Sequence, residues 1–234
     1  MLERRQNPQD ATDVIDLADA MAAVARERLA RRRPPRWAEP ARATLAHERF
    51  SDPDWIFEPK FDGERSLAFR DGAHVRLVTP DRRLVNDTYP ELVDALTGQQ
   101  ARDFVVDGQI VAFDGDVTSS SRLRQRTGRA APGQARATGI PVYFYVFDVL
   151  HADGCDTTGM PLRERKSLLR RLISFADPLR FTGHRNAEGE SYWRQACRMG
   201  WAGVIAKRAD APYRHGRTTD WRKFMCDRRR RPGH

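Results

Sequence analysis

The densest chemical segment of the 234-residue chain is Glu58-Pro59-Lys60-Phe61-Asp62-Gly63-Glu64-Arg65. Entered as a strand, it turns Glu58, Lys60 and Asp62 to one face, because side chains alternate along extended backbone. A lysine amine is a nucleophile once it has lost its proton, and nearby cations or burial lower its pKa. Packing gives little reason for a lysine between two carboxylates at a glycine turn. Taken alone, Lys-x-Asp-Gly is equally a solvated polar edge, since four-residue matches are common. Asp62 and Asp148 have the alternative of capping turns. Phe147 read singly is a core aromatic, and Lys207 and Lys223 are solvated strand edges.

The elements that must hold these residues are short. Trp55–Pro59 and Ser66–Arg70 read as strands on either side of the turn-prone Asp62-Gly63, and Val75–Thr79 alternates after Asp71-Gly72. Pro90 suits the first turn of a helix ending near Leu96. Phe104–Val106 and Gln109–Phe113 are strand-like around an expected turn at Asp107-Gly108. Residues 114–139 predict a loop with a short helix near Ser121–Arg126. Val142–Leu150 is aromatic and β-branched throughout, the composition of a buried strand. Helices are expected over Pro161–Phe175 and Ser191–Met199, the latter stopped by Gly200, and closing strands over Val204–Lys207 and Trp221–Phe224. Helices and strands do not alternate in βαβ order, so the class is α+β with antiparallel sheets.

Asp10 to Arg33 differ in character. Val14, Leu17, Met21 and Val24 recur at helical spacing over 11–33, acids crowd the start, arginines the end, and Pro34-Pro35 stops the run. Residues 1–36 are therefore expected to be an amphipathic helix and basic linker, 37–226 the body, and 227–234 a basic tail.

The net charge is +9, and the short runs Arg26–Arg36 and Asp227–His234 hold most of it. No run approaches the 18 apolar residues of a membrane span, and the first 25 residues lack an apolar signal core. Cys155, Cys197 and Cys226 lie far apart, with neither disulfide-framework nor zinc spacing, which points to a reduced cytoplasmic setting.

Lys60-Phe61-Asp62-Gly63-Glu64-Arg65 resembles the K-x-D-G-x-R motif of ATP-dependent DNA ligases, and the preceding Phe50–Lys60 resembles the entry strand of stand-alone bacterial end-joining ligases. Asp107-Gly-Gln-Ile-Val, Tyr145-Val-Phe-Asp-Val-Leu150, Gly203-Val-Ile-Ala-Lys207 and Trp221-Arg-Lys223 follow in the family's order, so the resemblance covers about residues 37–226. It implies a nucleotidyltransferase fold of two antiparallel sheets flanked by helices. It implies ATP with Mg²⁺ or Mn²⁺, Lys60 as the nucleophile that takes up AMP, and nicked or broken double-stranded DNA as substrate. By the same resemblance Glu58 is an adenine-side contact, Asp62, Gly63 and Arg65 complete the nucleotide motif, Phe147 stacks on adenine, and Lys207 and Lys223 neutralise the α-phosphate.

Four departures fall on this pattern. Gln109 stands where the family has a glutamate that contacts metal and ribose, leaving a weakened metal position. Thr79-Pro80-Asp81-Arg82 replaces Ser-Arg-Asn-Gly, Ala202 replaces a glutamate, and Met225 replaces a second lysine. Ser120 and Ser121 stand where Phe-Ala is usual. The chain ends about ten residues after Trp221, so no OB domain is expected. These departures imply impaired chemistry, and they leave a second reading: a non-catalytic ligase-derived module that grips DNA or a partner through Arg31, Arg32, Arg33, Arg228, Arg229 and Arg230. A separate OB-fold or end-joining protein would then complete the site. RNA ends or GTP are further alternatives.

Overall fold

A computed structural model describes residues 30–126 and 132–227. In chain order its elements are β1 (Ala30–Arg31), β2 (Ala41–Leu45), β3 (Trp55–Pro59), β4 (Glu64–Asp71), β5 (His74–Val78), α1 (Pro90–Thr97), β6 (Asp103–Val111), β7 (Phe113–Asp114), β8 (Val117–Thr118), α2 (Ser120–Arg124), α3 (Pro132–Ala137), β9 (Tyr143–Ala152), β10 (Cys155–Asp156), α4 (Leu162–Leu172), β11 (Leu179–Phe181), β12 (Arg185–Asn186), α5 (Gly189–Arg198), β13 (Gly203–Arg208) and β14 (Gly216–Met225). The α+β class holds. A seven-stranded sheet runs β1-β10-β9-β6-β4-β5 with β11 beside β9, and a five-stranded sheet runs β12-β3-β13-β14-β2. Pairing is antiparallel except at two places: β11 runs parallel to β9, and β2 runs parallel to β14.

Three apolar layers fix this arrangement. Leu92 and Leu96 of α1 and Leu168, Leu169 and Leu172 of α4 pack on the outer face of the larger sheet, against Phe104, Phe144 and Val149. Tyr192 and Ala196 of α5 cover the outer face of the smaller sheet, against Phe57, Val204 and Phe224. Between the sheets lie Leu67, Phe69, Val105, Phe147, Leu150, Tyr213 and Trp221. Burial of such side chains contributes about 1.5–3 kcal/mol each.

Strand β6 is continuous through Asp107-Gly108, where a turn was expected. It pairs with every residue of β4, from Asp103 opposite Asp71 to Ile110 opposite Glu64. The glycine is required there by a close approach, not by a turn: a Cβ on Gly108 would lie 2.5 Å from Phe144 Cε2 and 2.7 Å from the Tyr145 carbonyl oxygen. Against β9 the register shifts twice. Gly108 faces Val146 while Asp107 faces Asp148, and Val106 faces Val149 while Val105 faces His151. Phe147 and Leu150 are thus bulge residues without a cross-strand partner, and a bulge re-aims its side chain.

Two other expectations need correction. The helix over 11–33 lies mostly outside the described residues, but Ala30 and Arg31 at its end are strand, paired with Asp156 and Cys155. The body's pairing therefore begins ahead of residue 37. Cys197 and Cys226 form a disulfide with a Cα–Cα distance of 5.3 Å. They are distant in sequence, but α5 ends over the smaller sheet just where β14 leaves it. Of the three cysteines only Cys155 is free, and the reduced setting loses its cysteine argument. No helix among the described residues is long and apolar enough to cross a membrane.

Candidate active site

A cleft of about 220 Å³ opens between the two sheets. Glu58, Lys60, Asp62, Gly63, Arg65, Gln109, Phe147 and Lys207 all line it, together with Ile205 and Trp221. The sheets deliver them by register. Glu58 lies opposite Ile205, which lies opposite Lys223; Lys207 lies opposite Trp221. Cross-strand partners share a face, so Lys223 points to the cleft side, in the row of Glu58 and Ile205. From the larger sheet, Arg65 lies opposite Gln109 and Gln109 opposite Tyr145.

Lys60 follows the last residue of β3, and its amide donates to the Gly203 carbonyl at 2.9 Å. That ties the lysine to the start of β13. Gly203 has φ of 143°, and a Cβ there would meet the Phe224 carbonyl oxygen at 2.0 Å. Gly63 is not a left-handed turn residue. A Cβ there would fall 2.1 Å from the Ile110 carbonyl oxygen, so only glycine lets the lysine loop close against β6. Asp62 does cap: its Oδ2 accepts from the Ser120 amide at 3.3 Å and the Ser120 hydroxyl at 3.2 Å, at the start of α2. Its own amide donates to Thr118 Oγ1 at 2.9 Å. The serine that departs from the family pattern is thus a partner of the motif aspartate.

Glu58 is 2% exposed and is shared by two lysines. Lys166 of α4 donates to Oε1, and Lys207 Nζ lies 2.6 Å from Oε2. Burial pushes the Glu58 carboxyl up, but the charges of Lys166 and Lys207 outweigh it and hold it below the ordinary range. Burial lowers Lys207 to about 8, against the opposing pull of Glu58. Its Nζ is buried, with the Glu58 carboxylate as its close acceptor. Lys207 also lies 4.1 Å from the Phe147 ring centroid and 4.0 Å from that of Trp221. Lys166 further donates to the Thr182 carbonyl at 3.0 Å.

Arg65 is held as a fork. Its Nε and Nη2 each reach a carboxylate oxygen of Asp107 at 2.5 Å, and its guanidinium lies 4.6 Å from the Phe147 centroid. Asp107 is fully buried and also accepts from the Tyr213 hydroxyl at 2.6 Å. Burial and the Asp107 charge keep that hydroxyl protonated, well above its usual pKa. Asp148 is not a turn cap. It forms a fully buried bidentate pair with Arg165, at 2.7 and 2.9 Å, which pins β9 to α4.

Sequence reasoning missed Lys166 and Arg165. Lys166 follows Leu162 by four residues, so it lies on the buried side of the helix; a charge at that spacing is a signal for a buried partner. Some sequence candidates lie elsewhere. Thr79 to Arg82 form a tight turn in which Arg82 has φ of 65°, and Pro80 does not line the cleft. Arg32 and Arg33 are exposed beside β10, with the Arg32 guanidinium 3.8 Å from Asp156. Arg31 lies in β1, and Arg228, Arg229 and Arg230 fall outside the described residues.

Three cations, Lys60, Arg65 and the buried Lys207, beside the Phe147 and Trp221 rings suit an anionic ligand with a flat apolar part. The same residues do not suit a cation held by protein alone. Among the described residues no group of three or more His, Cys, Asp or Glu is placed to hold a metal. Glu58 is taken by two lysines, Asp62 caps α2, and Gln109 carries no charge.

Residues 35–224 match the family model described as ATP dependent DNA ligase domain. The chain belongs to this family. The multifunctional non-homologous end joining protein LigD of Pseudomonas aeruginosa is 29% identical over 197 residues, 83% of this chain and 23% of its own length. A probable DNA ligase of Anaeromyxobacter sp. (strain K) is 34% identical over 207 residues, 86% of this chain and 40% of its own. The solved ligase domain of M. tuberculosis LigD superposes with a TM-score of 0.68 at 32% identity, covering 80% of this chain and 59% of that one. The chain thus spans less than half the length of these two curated relatives.

Proposed function

We propose that the protein is an adenylyltransferase of DNA-end joining, in which Lys60 takes AMP from ATP. The observation that carries the reading is the single cleft in which Lys60 meets Glu58, Arg65, Phe147 and Lys207. ATP supplies the AMP group. Deprotonated Lys60 attacks the α-phosphorus, a P–N bond forms as the bond to the bridging oxygen breaks, and pyrophosphate leaves. AMP then passes to a DNA 5′-phosphate, and a 3′-hydroxyl displaces it. Lys207, with Lys223 a row away, holds the charge on the phosphate oxygens, and such positioned groups are worth about 10²–10³ in rate each. Phe147 offers the adenine a ring; Glu58, fixed by two lysines, sets the floor; Arg65 is oriented by Asp107. No step is assigned to a protein-held divalent cation, because the cleft offers it no uncommitted carboxylate. Mg²⁺ or Mn²⁺ would enter with the nucleotide, with Gln109 as a neutral oxygen donor. The substrate is nicked or broken duplex DNA in the bacterial cytoplasm, at the nucleoid, with a separate OB-fold or end-joining protein as partner.

Incubation with ATP and Mg²⁺ or Mn²⁺, followed by intact mass measurement, tests this. The expected result is an AMP-sized gain that is absent in Lys60→Ala. No gain with either metal refutes self-adenylylation. The commitment of Glu58 and the neutrality of Gln109 favour one second reading, a non-catalytic module that holds DNA through Arg31–Arg33 and Arg228–Arg230. Its binding would fall steeply with salt and would be lost on removing 1–36 and 227–234.

A further inference from the structure

Beside the cleft, the larger sheet carries a ledge that the adenylylation chemistry leaves unused. Phe61, which lines the cleft, packs on Tyr145 at a centroid distance of 4.3 Å. Phe113 follows, 6.4 Å from Tyr145 and 5.7 Å from Tyr143. Arg180 of β11 closes the row: its guanidinium lies 3.7 Å from the Tyr143 centroid, donates to the Tyr145 hydroxyl at 3.0 Å, and is forked by Asp177 at 2.7 and 3.0 Å. All four rings and Arg180 are only half-buried. Arg65, Gln109, Tyr145 and Arg180 are successive cross-strand partners on β4, β6, β9 and β11. The ledge is therefore the same sheet face as the cleft, continued past the edge of the smaller sheet.

We propose that this ledge is a stacking platform for unpaired bases of a nucleic-acid strand whose end enters the cleft; it rests on the proposed function and names the form of its substrate. Bases splayed from a duplex are held by stacking on aromatic rings and on guanidinium planes. The ledge offers both, and its guanidinium is held fixed by Asp177 rather than left to fold away. With its charge balanced by Asp177, the guanidinium adds a flat stacking plane to the rings, which suits a base more than a bare phosphate. The continuity with the cleft through Phe61 brings the stacked bases next to Lys60. The ledge thus selects ends with a single-stranded overhang or frayed terminus over flush duplex.

The test is fluorescence anisotropy of the full chain with a labelled oligothymidylate and with the same strand carrying abasic sites. The abasic strand is expected to bind about tenfold more weakly, because stacking is the term removed. Tyr143→Ala with Phe113→Ala should weaken the base-bearing strand by about the same factor and leave the abasic strand unchanged. Equal affinity of the two strands for the wild-type chain overturns the proposal, and that comparison needs no variant to fold. Thermal melting of the double variant separates lost stacking from lost structure. AMP labelling of Lys60 without base-dependent binding removes the ledge and keeps the adenylyltransferase. Base-dependent binding without labelling does the reverse.

Discussion

Replacing Glu58 by Gln probes the deepest electrostatic commitment of the site. Lys166 and Lys207 have side chains only 3% and 2% exposed, and Glu58 is the carboxylate that faces both. At 2.6 Å the Lys207–Glu58 attraction is about 6 kcal/mol with an effective dielectric constant of about 20, before desolvation. Desolvation offsets much of that while the pair is intact, but removing one partner leaves charge buried without compensation. The expected loss in Glu58→Gln is about 3–5 kcal/mol. Its pH dependence has a definite sign. The carboxyl is held below 4.5, so its contribution is present at neutral pH and lost as pH falls through the folded value. Lys207 falls from 10.5 to about 8, so its buried charge costs stability below about 8, and the cost is relieved as pH rises towards 10.5. Without Glu58 the Lys207 pKa drops further. Between that new value and about 8 the variant folds without a proton that the wild type still binds. The gap between the two proteins is thus largest in mild acid, narrows as pH rises to about 8, and is level beyond. Urea denaturation followed by tryptophan fluorescence, in mild acid and near pH 8, measures it. A loss below about 1 kcal/mol, or a gap that widens with pH, refutes the three-residue charge balance.

Three further outcomes follow from the same geometry. Asp148→Asn, which leaves Arg165 buried against a neutral amide, should cost about 3–5 kcal/mol in urea denaturation, while a conservative change at exposed Asp177 should not. ATP affinity, read with a fluorescent nucleotide, should fall as pH rises through about 8 because Lys207 loses its charge there; Lys207→Gln should bind more weakly and with a flatter pH profile. Reducing the bond between Cys197 and Cys226, 29 residues apart, should lower stability by about 2–4 kcal/mol, seen as a lower urea midpoint; an unchanged midpoint would show that the bond does not constrain the chain.

Half of the strands, four of the five helices and most of the cleft-lining residues were legible because their signals are local. Alternation marked β5, the turn pair Asp62-Gly63 separated β3 from β4, leucine spacing marked α4, and an ordered set of short motifs placed Lys60, Phe147 and Lys207 in one site. What escaped depends on contacts distant in sequence. Asp107-Gly108 has turn composition, yet the glycine serves a close approach to Phe144 across the sheet. Lys166 reads as the polar member of an amphipathic helix until β3 brings Glu58 against it, 108 positions away. The cysteine pair was hidden in the same way, since spacing says nothing about where α5 ends over β14. Asp62 was legible in kind but not in target: it caps as an aspartate before glycine often does, but its helix is α2, near Ser120.

Strand β9 serves two interiors at once, and its two bulges explain how. Each bulge is a slip of one residue in a pattern of period two, so two slips restore the original phase. Tyr143 and Tyr145 face the cleft side; after the slips at Phe147 and Leu150, His151 faces that side again, and Ala152 the helix side like Phe144. Between the slips the strand presents Phe147 and Asp148 in succession to the cleft side, which a regular strand cannot do. Deleting the extra residue at either slip would remove that bulge and leave the partners beyond it unchanged, with His151 still opposite Val105 and Ala152 opposite Phe104. Deleting both would leave a regular strand without the consecutive pair. The register of the strand therefore survives the loss of a residue at a slip, but the cleft does not keep the side chain that the slip presents.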